Sequence, residues 1–325
     1  MAGKRTGRRA GAGNQRGSKQ TATSKATSAR RGAEQADLGV IGGSGLYDID
    51  GLTDVRAVRV RTPFGDPSDA IMVGRMGASR VAFLSRHGRG HQFSPSTINY
   101  RANIYALKSL GVRRIVSVSA VGSMQPTIEP GHVVVPDQFI DLTKRRSSTF
   151  FDADVVAHVG FGDPVCPAMA PLLVRAVTES DGTVHRGGTY VCMEGPQFST
   201  RAESLLYRSW GVSVIGMTNM PEAKLAREAG LCYATMALVT DYDCWHEVEE
   251  AVSVEAILAV LRKNVALAKR VLQRLLPHLC PPDGCACPQA LQGAIITDPK
   301  TISASARRRL GVLIGPYLPS PTRKA

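Results

Sequence analysis

The sequence predicts an α/β fold organised on a central sheet, and three observations predict it. Short apolar runs recur along the chain and end in small or hydroxylated residues: 38–41 before Gly42-Gly43-Ser44-Gly45, 81–84 before Ser85-Arg86-His87, and 115–118 before Ser119-Ala120-Val121-Gly122. The stretch 215–245 reads as strand end, helix, strand and a pair of carboxylates. Pro221 fits the first helical position, Glu222 stands where the helix dipole favours an acid, and Gly230 supplies a left-handed stop. The run 232–240 is nearly all apolar without alternation, as in a parallel strand covered on both faces.

A chain of 325 residues suits one or two domains, and an apolar share of 43% suffices for a large core. There is no apolar run of membrane-spanning length and no charged segment leading into an apolar leader, so neither a membrane protein nor a secreted one is expected. Seven scattered cysteines, an odd number, fit reduced thiols in a cytoplasmic protein better than a disulfide framework.

Residues 1–36 differ from everything after them, being rich in Gly, Ala, Ser, Thr, Lys and Arg, and this segment is expected to be a disordered basic tail. Through Gly32 it holds nine basic residues and no acid, which leaves only +4 of the net +13 to the remainder. The charge therefore gives no ground for reading the folded body as a nucleic-acid binder; the tail serves as a solvated spacer, a non-specific polyanion contact or a targeting segment. The main domain is expected over 37–280. An extension over 281–325 follows, a turn-rich linker and a short amphipathic helix at 303–313.

In chain order, 38–41 is a short buried strand whose glycine turn bares backbone amides, with the Ser44 hydroxyl as a further donor. Such a turn suits an anion and equally a plain tight turn. A dinucleotide fold is disfavoured, because the spacing is not G-x-G-x-x-G and the next strand, 55–60, runs into Arg61 rather than an acid. Strand 81–84 delivers Arg86 and His87, a planar fork of donors and an imidazole suited to phosphate, although a solvated basic loop has the same composition. A helix over 99–110 closes at Gly111, a strand follows at 115–118, and further strands fall at 131–135, 138–140 and 190–193. After the last of these, Phe198 beside Ser199 could cover the face of a flat ligand or simply join the core.

The succession GGSGLYD, TPFGDPSD, SRHGRGH, NYRANIYALK, DQFIDLT, MEGPQFSTRAES, GMTNMPEAKLAREAG and DYDCW resembles the 5′-methylthioadenosine phosphorylases within the trimeric purine nucleoside phosphorylases, over about 38–279. The resemblance implies a phosphorylase/hydrolase-like fold, a central mixed twisted sheet flanked by helices, assembled as a homotrimer. It implies cleavage of a purine nucleoside by inorganic phosphate, a co-substrate, with no cofactor. Carried across by position, it puts phosphate at Ser44, Arg86, His87, Ser119 and Thr218, with Arg86 the main positive charge. The backbone of Ala120 stands at the phosphate and ribose, Met217 by the ribose, Phe198 and Ser199 by the base, and Asp241 and Asp243 on the purine edge. Val254, Ile257 and Leu258, at i, i+3 and i+4 of a helix, would surround a methylthio group, and His158 of a neighbouring subunit would close that pocket. Ser44 and Ser119 stand where the animal relatives carry threonine, which keeps the hydroxyl and loses a methyl.

The chemistry asks for the same set. Breaking an N-glycosidic bond builds positive charge on the sugar and negative charge on the departing purine, so an anionic nucleophile and a proton donor are needed. Phosphate supplies the first; Asp241 holding a proton for N7, with Asp243 accepting from an exocyclic amine, supplies the second. That pairing suits a 6-aminopurine, and the functions to weigh are a methylthioadenosine phosphorylase, a 6-oxopurine or methylthioinosine phosphorylase, and a nucleic-acid-associated protein acting through the tail. No metal is expected. His246-Glu247 lacks the second histidine of H-E-x-x-H, and Cys280, Cys285 and Cys287 read as free thiols of a surface extension, short of four ligands in a familiar spacing.

Overall fold

Strand β1 (Leu38–Gly42) divides its side chains between two apolar layers, Leu38 and Val40 into one and Ile41 into the other. The same period of two runs through β4 (Ser79–Ser85), β5 (Arg114–Ser123) and β11 (Cys232–Asp241). In β11, Ala234, Met236 and Leu238 face one layer, and Tyr233, Ala237 and Val239 the other. These strands are apolar on both sides because helices cover both.

The computed structural model describes residues 1, 35–43, 46, 50–246, 254–279 and 284–318, with the backbone alone at 254–259 and 261. The chain divides into units Met1–Gln35 and Ala36–Ala325. Almost all of the predicted basic tail, Ser44 and Cys280 lie outside the described residues.

The second unit is built on an eleven-stranded mixed sheet. β1 runs parallel to β4 and β5, and β5 parallel to β11. On the β4 side, β3 (Ile71–Met76) and β2 (Thr53–Val58) complete an antiparallel edge. β11 is not flanked by parallel neighbours on both sides, as its unbroken apolar run suggested: it pairs antiparallel with β6 (Val133–Val135), which pairs with β8 (Val184–Arg186). Burial on both faces, rather than strand direction, removed the alternation. Beyond β1, the end of β5 pairs antiparallel with β10 (Val214–Gly216), followed by β9 (Thr189–Cys192) and β7 (Gln138–Asp141).

One face of the sheet is covered by α1 (Tyr100–Ser109), capped by the Asn99 side chain, and by α4 (Asn219–Glu228). α4 is kinked at Met220, so its continuous turns begin at Pro221, and Gly230 at φ +64° ends it. The other face carries α2 (Met169–Thr178) and the long α5 (Val254–Leu275). A smaller apolar cluster, with Tyr207, Ile215 and Trp245, lies under α3 (Arg201–Ser209), whose first turn is closed by a reciprocal Thr200–Glu203 capping box.

The helix expected at 303–313 is two short pieces, α6 (Ala304–Arg309), capped by Ser303, and α7 (Gly311–Ile314). Ala306, Leu310, Leu313 and Ile314 are buried in the same apolar layer as α1 and α4. No described helix is long and apolar enough to cross a membrane.

Candidate active site

Strands β1, β4, β5 and β11 run the same way, so their carboxyl ends meet on one edge of the sheet, where open α/β folds bind ligands. β10 arrives from the opposite direction, and that antiparallel pairing brings Thr218, two residues past its end, level with Ser119 of β5. Their hydroxyls lie 3.2 Å apart, and the Ser119 hydroxyl is also 3.2 Å from that of Tyr190. Thr218 occupies the N-cap position of α4 without capping it, so its hydroxyl is turned to Ser119 instead, while the Met220 amide donates to the Cys192 sulfur at 3.4 Å. Ala120, next to Ser119, is exposed. Ser119, Ala120 and Thr218 thus lie together.

Arg86 follows β4 and is 2% exposed. Its Nε and Nη2 donate to the two carboxylate oxygens of Glu222 at 2.9 and 3.1 Å. Nη1 donates to the Val118 carbonyl at 2.9 Å, and Nη2 also reaches the Ser117 hydroxyl at 2.7 Å and the Ile41 carbonyl at 3.3 Å. Burial alone would lower the guanidinium pKa, but the charge and hydrogen bonds of Glu222 overrule it and hold it above its ordinary value. A guanidinium has five N–H groups. Among the described residues, these partners leave the second hydrogen on Nη1 without an acceptor. The positive charge foreseen for the nucleophile is therefore already balanced by Glu222, which also accepts from Ser117 at 2.7 Å and Tyr233 at 3.0 Å.

His87 donates through Nδ1 to the Phe93 carbonyl at 2.8 Å, since a carbonyl only accepts, and stacks on His91 with ring centroids 4.1 Å apart. Burial pushes its pKa down to about 4, with the charges of Arg86 and His91 acting in the same direction against the Phe93 carbonyl. The neutral ring keeps Nε2 as a lone pair. The expected second donor to phosphate exists only when the imidazole is protonated.

Asp241 and Asp243 leave the end of β11 across a register shift between Val239 and Asp241, which aligns Asp241 with Gly122. Such irregularities re-aim side chains beside functional sites. Thr240 donates to the Asp241 Oδ2 at 2.7 Å, and Ser204 of α3 donates to the Asp243 Oδ2 at 2.6 Å. Both aspartates crowd Gly122: a Cβ there would lie 3.1 Å from the Asp241 Oδ1 and 3.3 Å from the Asp243 Cβ. The loop they open is pinned by Trp245, whose Nε1 donates to the Ser123 carbonyl at 2.8 Å while the Arg208 guanidinium covers its ring at 3.6 Å.

The segment after β9 reaches the same loop, the Cys244 thiol lying 3.3 Å from the Ser199 carbonyl. Phe198 beside it is 67% exposed and is not a core residue. Met217 packs over Gly195, where a Cβ would meet its sulfur at 2.5 Å. Arg146, which sequence reasoning missed, fastens this corner: its guanidinium donates to the carbonyls of Glu194, Met217 and Met220, each at 2.6 Å. Burial would raise the Glu194 carboxyl, but the Ser96 hydroxyl, the Lys144 amide and Arg146 hold it down at about 2. Arg146 lies in a polar loop without a motif; Glu222 and Ser204 sit inside the MTNMPE and STRAES stretches, yet nothing in the spacing names their partners.

His158 is not brought into this constellation within one chain. It is exposed, its amide bonded to the Ala294 carbonyl at 2.9 Å, beside an isolated bridge between Ala157 and Ile295. Val254, Ile257 and Leu258 fall at the start of α5, but their side chains, like Ser44, lie outside the described residues.

Residues 37–277 match the phosphorylase superfamily. The S-methyl-5′-thioadenosine phosphorylase of Geobacter sulfurreducens is 58% identical over 282 residues, covering 86% of this chain and 99% of that protein. The protein of the same name from Koribacter versatilis is 55% identical over 283 residues, 87% of this chain and 97% of its own. Among solved structures, a methylthioadenosine phosphorylase from an Antarctic soil metagenomic library superposes with a TM-score of 0.83 at 52% identity, covering 86% of this chain and 99% of that one. The Schistosoma mansoni methylthioadenosine phosphorylase in complex with adenine gives a TM-score of 0.75 at 36% identity, covering 80% and 99%. With a sheet, a set of strand ends and a sequence that agree, the chain belongs to the phosphorylase superfamily and, within it, to the S-methyl-5′-thioadenosine phosphorylase family.

Proposed function

We propose that the protein cleaves S-methyl-5′-thioadenosine with phosphate, a pentosyl transfer that yields adenine and S-methyl-5-thio-α-D-ribose 1-phosphate, a step of purine and methionine salvage. The observation that carries this reading is the pair of aspartates side by side on Gly122 of β5, the strand that also holds Ser119, whose hydroxyl lies 3.2 Å from that of Thr218. Phosphate bound by Ser119, Thr218, Arg86, His87 and the Ala120 backbone, with Ser44 as a further donor, attacks C1′ while the glycosidic bond lengthens. Asp241 delivers a proton to N7, and Asp243, already holding Ser204, takes a hydrogen bond from the 6-amino group.

A 6-oxopurine offers acceptors at both positions and would face the Asp243 carboxylate without a hydrogen between them, so inosine is expected to be a poor substrate. Phe198 stacks on the base beside Ser199, and Met217 touches the ribose. Val254, Ile257 and Leu258 form an apolar wall for the thioether, which avoids burying an unpaired hydroxyl.

Assembly as a cyclic trimer in the cytoplasm accompanies this reading. A ring of that kind joins two different patches of each subunit. Two sets of exposed apolar residues support it: Leu205 and Leu206 of α3 with Trp210 just after it and Phe198 before it, and Val156 with Ile296 near His158. Their meeting would carry His158 of one subunit to the methylthio end of the next. The test is base release from methylthioadenosine and from inosine, with and without phosphate. Release that requires phosphate and strongly favours methylthioadenosine is expected; equal release without phosphate would show a hydrolase.

A further inference from the structure

Four cysteines far apart in the sequence meet at the end of the sheet remote from the aspartates. Cys166 precedes α2, Cys232 opens β11, and Cys285 and Cys287 belong to the segment after α5. Their four Sγ atoms all lie within 4.8 Å of one another, and the Cys232 and Cys285 sulfurs are 3.3 Å apart. The thiols at 285 and 287 are therefore not the surface thiols foreseen from the sequence: Cys166, Cys232 and Cys287 are buried, and only Cys285 retains partial exposure. We propose that this cluster is a mononuclear tetrathiolate site for a zinc ion.

The distances favour one ion at the centre. Four sulfurs about 2.3 Å from a tetrahedral zinc are about 3.8 Å from each other, inside the range found here. A disulfide would bring two of them to about 2.05 Å, and the described cysteines form none. Sulfurs this close leave no room for the bridging sulfides of an iron–sulfur cluster, and a tetrahedral all-sulfur set selects zinc among the common divalent ions.

The surroundings are built for thiolates. The Met169 and Ala170 amides donate to the Cys166 carbonyl at 3.2 and 3.1 Å and fix the turn that carries its sulfur, the kind of outer contact that orients a metal ligand, and half-buried Lys108 lies within Coulombic reach of Cys232. Gly230 has no side chain to hold off the 287–289 turn: a Cβ there would lie 3.2 Å from the Pro288 carbonyl. Binding balances simply, the four thiols losing four protons to solvent as four zinc–sulfur bonds form. The ten-residue β11 spans about 30 Å, so zinc at Cys232 is remote from Asp241 and acts as a tether between α2, β11 and the C-terminal segment rather than in the reaction.

The experiment is elemental analysis of the full chain, expressed in zinc-supplemented medium and purified without chelator. Alongside it, a mercurial titration with a zinc-sensitive dye counts thiols per ion released. One zinc per chain, freed as four thiols react, is expected, with cobalt substitution giving thiolate charge-transfer and tetrahedral d–d absorption. Cys285→Ser/Cys287→Ser should lose the ion and lower Tm. Should that variant not fold, the thiol count and the cobalt spectrum of the unaltered protein still decide. A chain without metal, a mass deficit of two hydrogens per bond in unreduced protein, or zinc retained by the double variant overturns the proposal.

Discussion

Arg86 and Glu222, 136 residues apart, form a two-point ion pair inside the protein, Nε to Oε2 at 2.9 Å and Nη2 to Oε1 at 3.1 Å. Removing one partner leaves the other charge buried alone, so Arg86→Ala is expected to cost about 3–5 kcal/mol of stability, read by denaturant titration. The phosphate requirement should rise as well. Arg86→Ala/Glu222→Ala should recover part of the stability and none of the phosphate affinity; full recovery of both would remove Arg86 from the phosphate site.

Asp241→Asn keeps a donor toward N7 but has no carboxyl proton to deliver. Turnover of methylthioadenosine should fall about 100-fold or more, the usual weight of general acid catalysis. The relative rate on methylthioinosine should improve, because an amide can donate to O6 as well. Steady-state kinetics on the two nucleosides measures this, and an unchanged ratio would exclude Asp241 from base choice.

Gly122→Ala tests the spacing of the carboxylates while leaving both aspartates in the sequence. The new methyl would meet the Asp241 Oδ1 at 3.1 Å and the Asp243 Cβ at 3.3 Å, so both must shift by a few tenths of an ångström. Efficiency on methylthioadenosine should drop about tenfold or more with Tm nearly unchanged, misplacement being costly in a site that works by alignment.

The lowered pKa of His87 sets a pH dependence of stability. The unfolded chain takes up this proton near its ordinary value of 6.5 and the folded chain only near 4. Between those values the unfolded state binds more protons, so acid destabilises the fold by up to roughly 1.4 kcal/mol per pH unit from this group. A bound phosphate dianion favours the imidazolium and opposes the shift. Calorimetry near pH 6 in two buffers of different ionisation enthalpy should show proton uptake on phosphate binding. His87→Asn, which keeps an N–H for Phe93, should abolish it.

Leu206 is half exposed on α3. Leu206→Glu should shift light scattering from trimer to monomer and weaken the preference for methylthioadenosine over adenosine. A monomeric variant with full preference would argue against a neighbour's histidine at the pocket.

The frame and the strand ends were legible because they rest on local rules. Gly111 and Gly230 end helices, apolar runs become strands, and Thr218, Asp241 and Asp243 fall at or just past the ends of β10 and β11, whereas the strand expected to stop before Ser119 runs on to Ser123 and holds Ser119 inside it. Helix α3 could also have been found, since Thr200 and Glu203 spell its capping box. What stayed hidden depends on contacts between distant segments. Glu222 reads as a helix-dipole acid, yet folding turns it onto Arg86, Ser117 and Tyr233. Cys285 and Cys287 show one local spacing, while their companions at 166 and 232 carry no motif. The direction of β6 beside β11 leaves no trace in a strand buried on both faces.

The superfamily match stops at residue 277, but the packing does not. Leu291, Ile302, Leu310, Leu313 and Ile314 fill the layer over α1, and the Tyr105 hydroxyl donates to the Arg309 carbonyl at 3.2 Å. A chain trimmed to the matched span would bare an aliphatic trough along α1 and α4, prone to sticking to its own kind. Poor solubility of such a fragment would then report a missing lid of hydrocarbon, and not a catalytic body unable to fold, so the boundary of a recognisable family is the wrong place for the scissors.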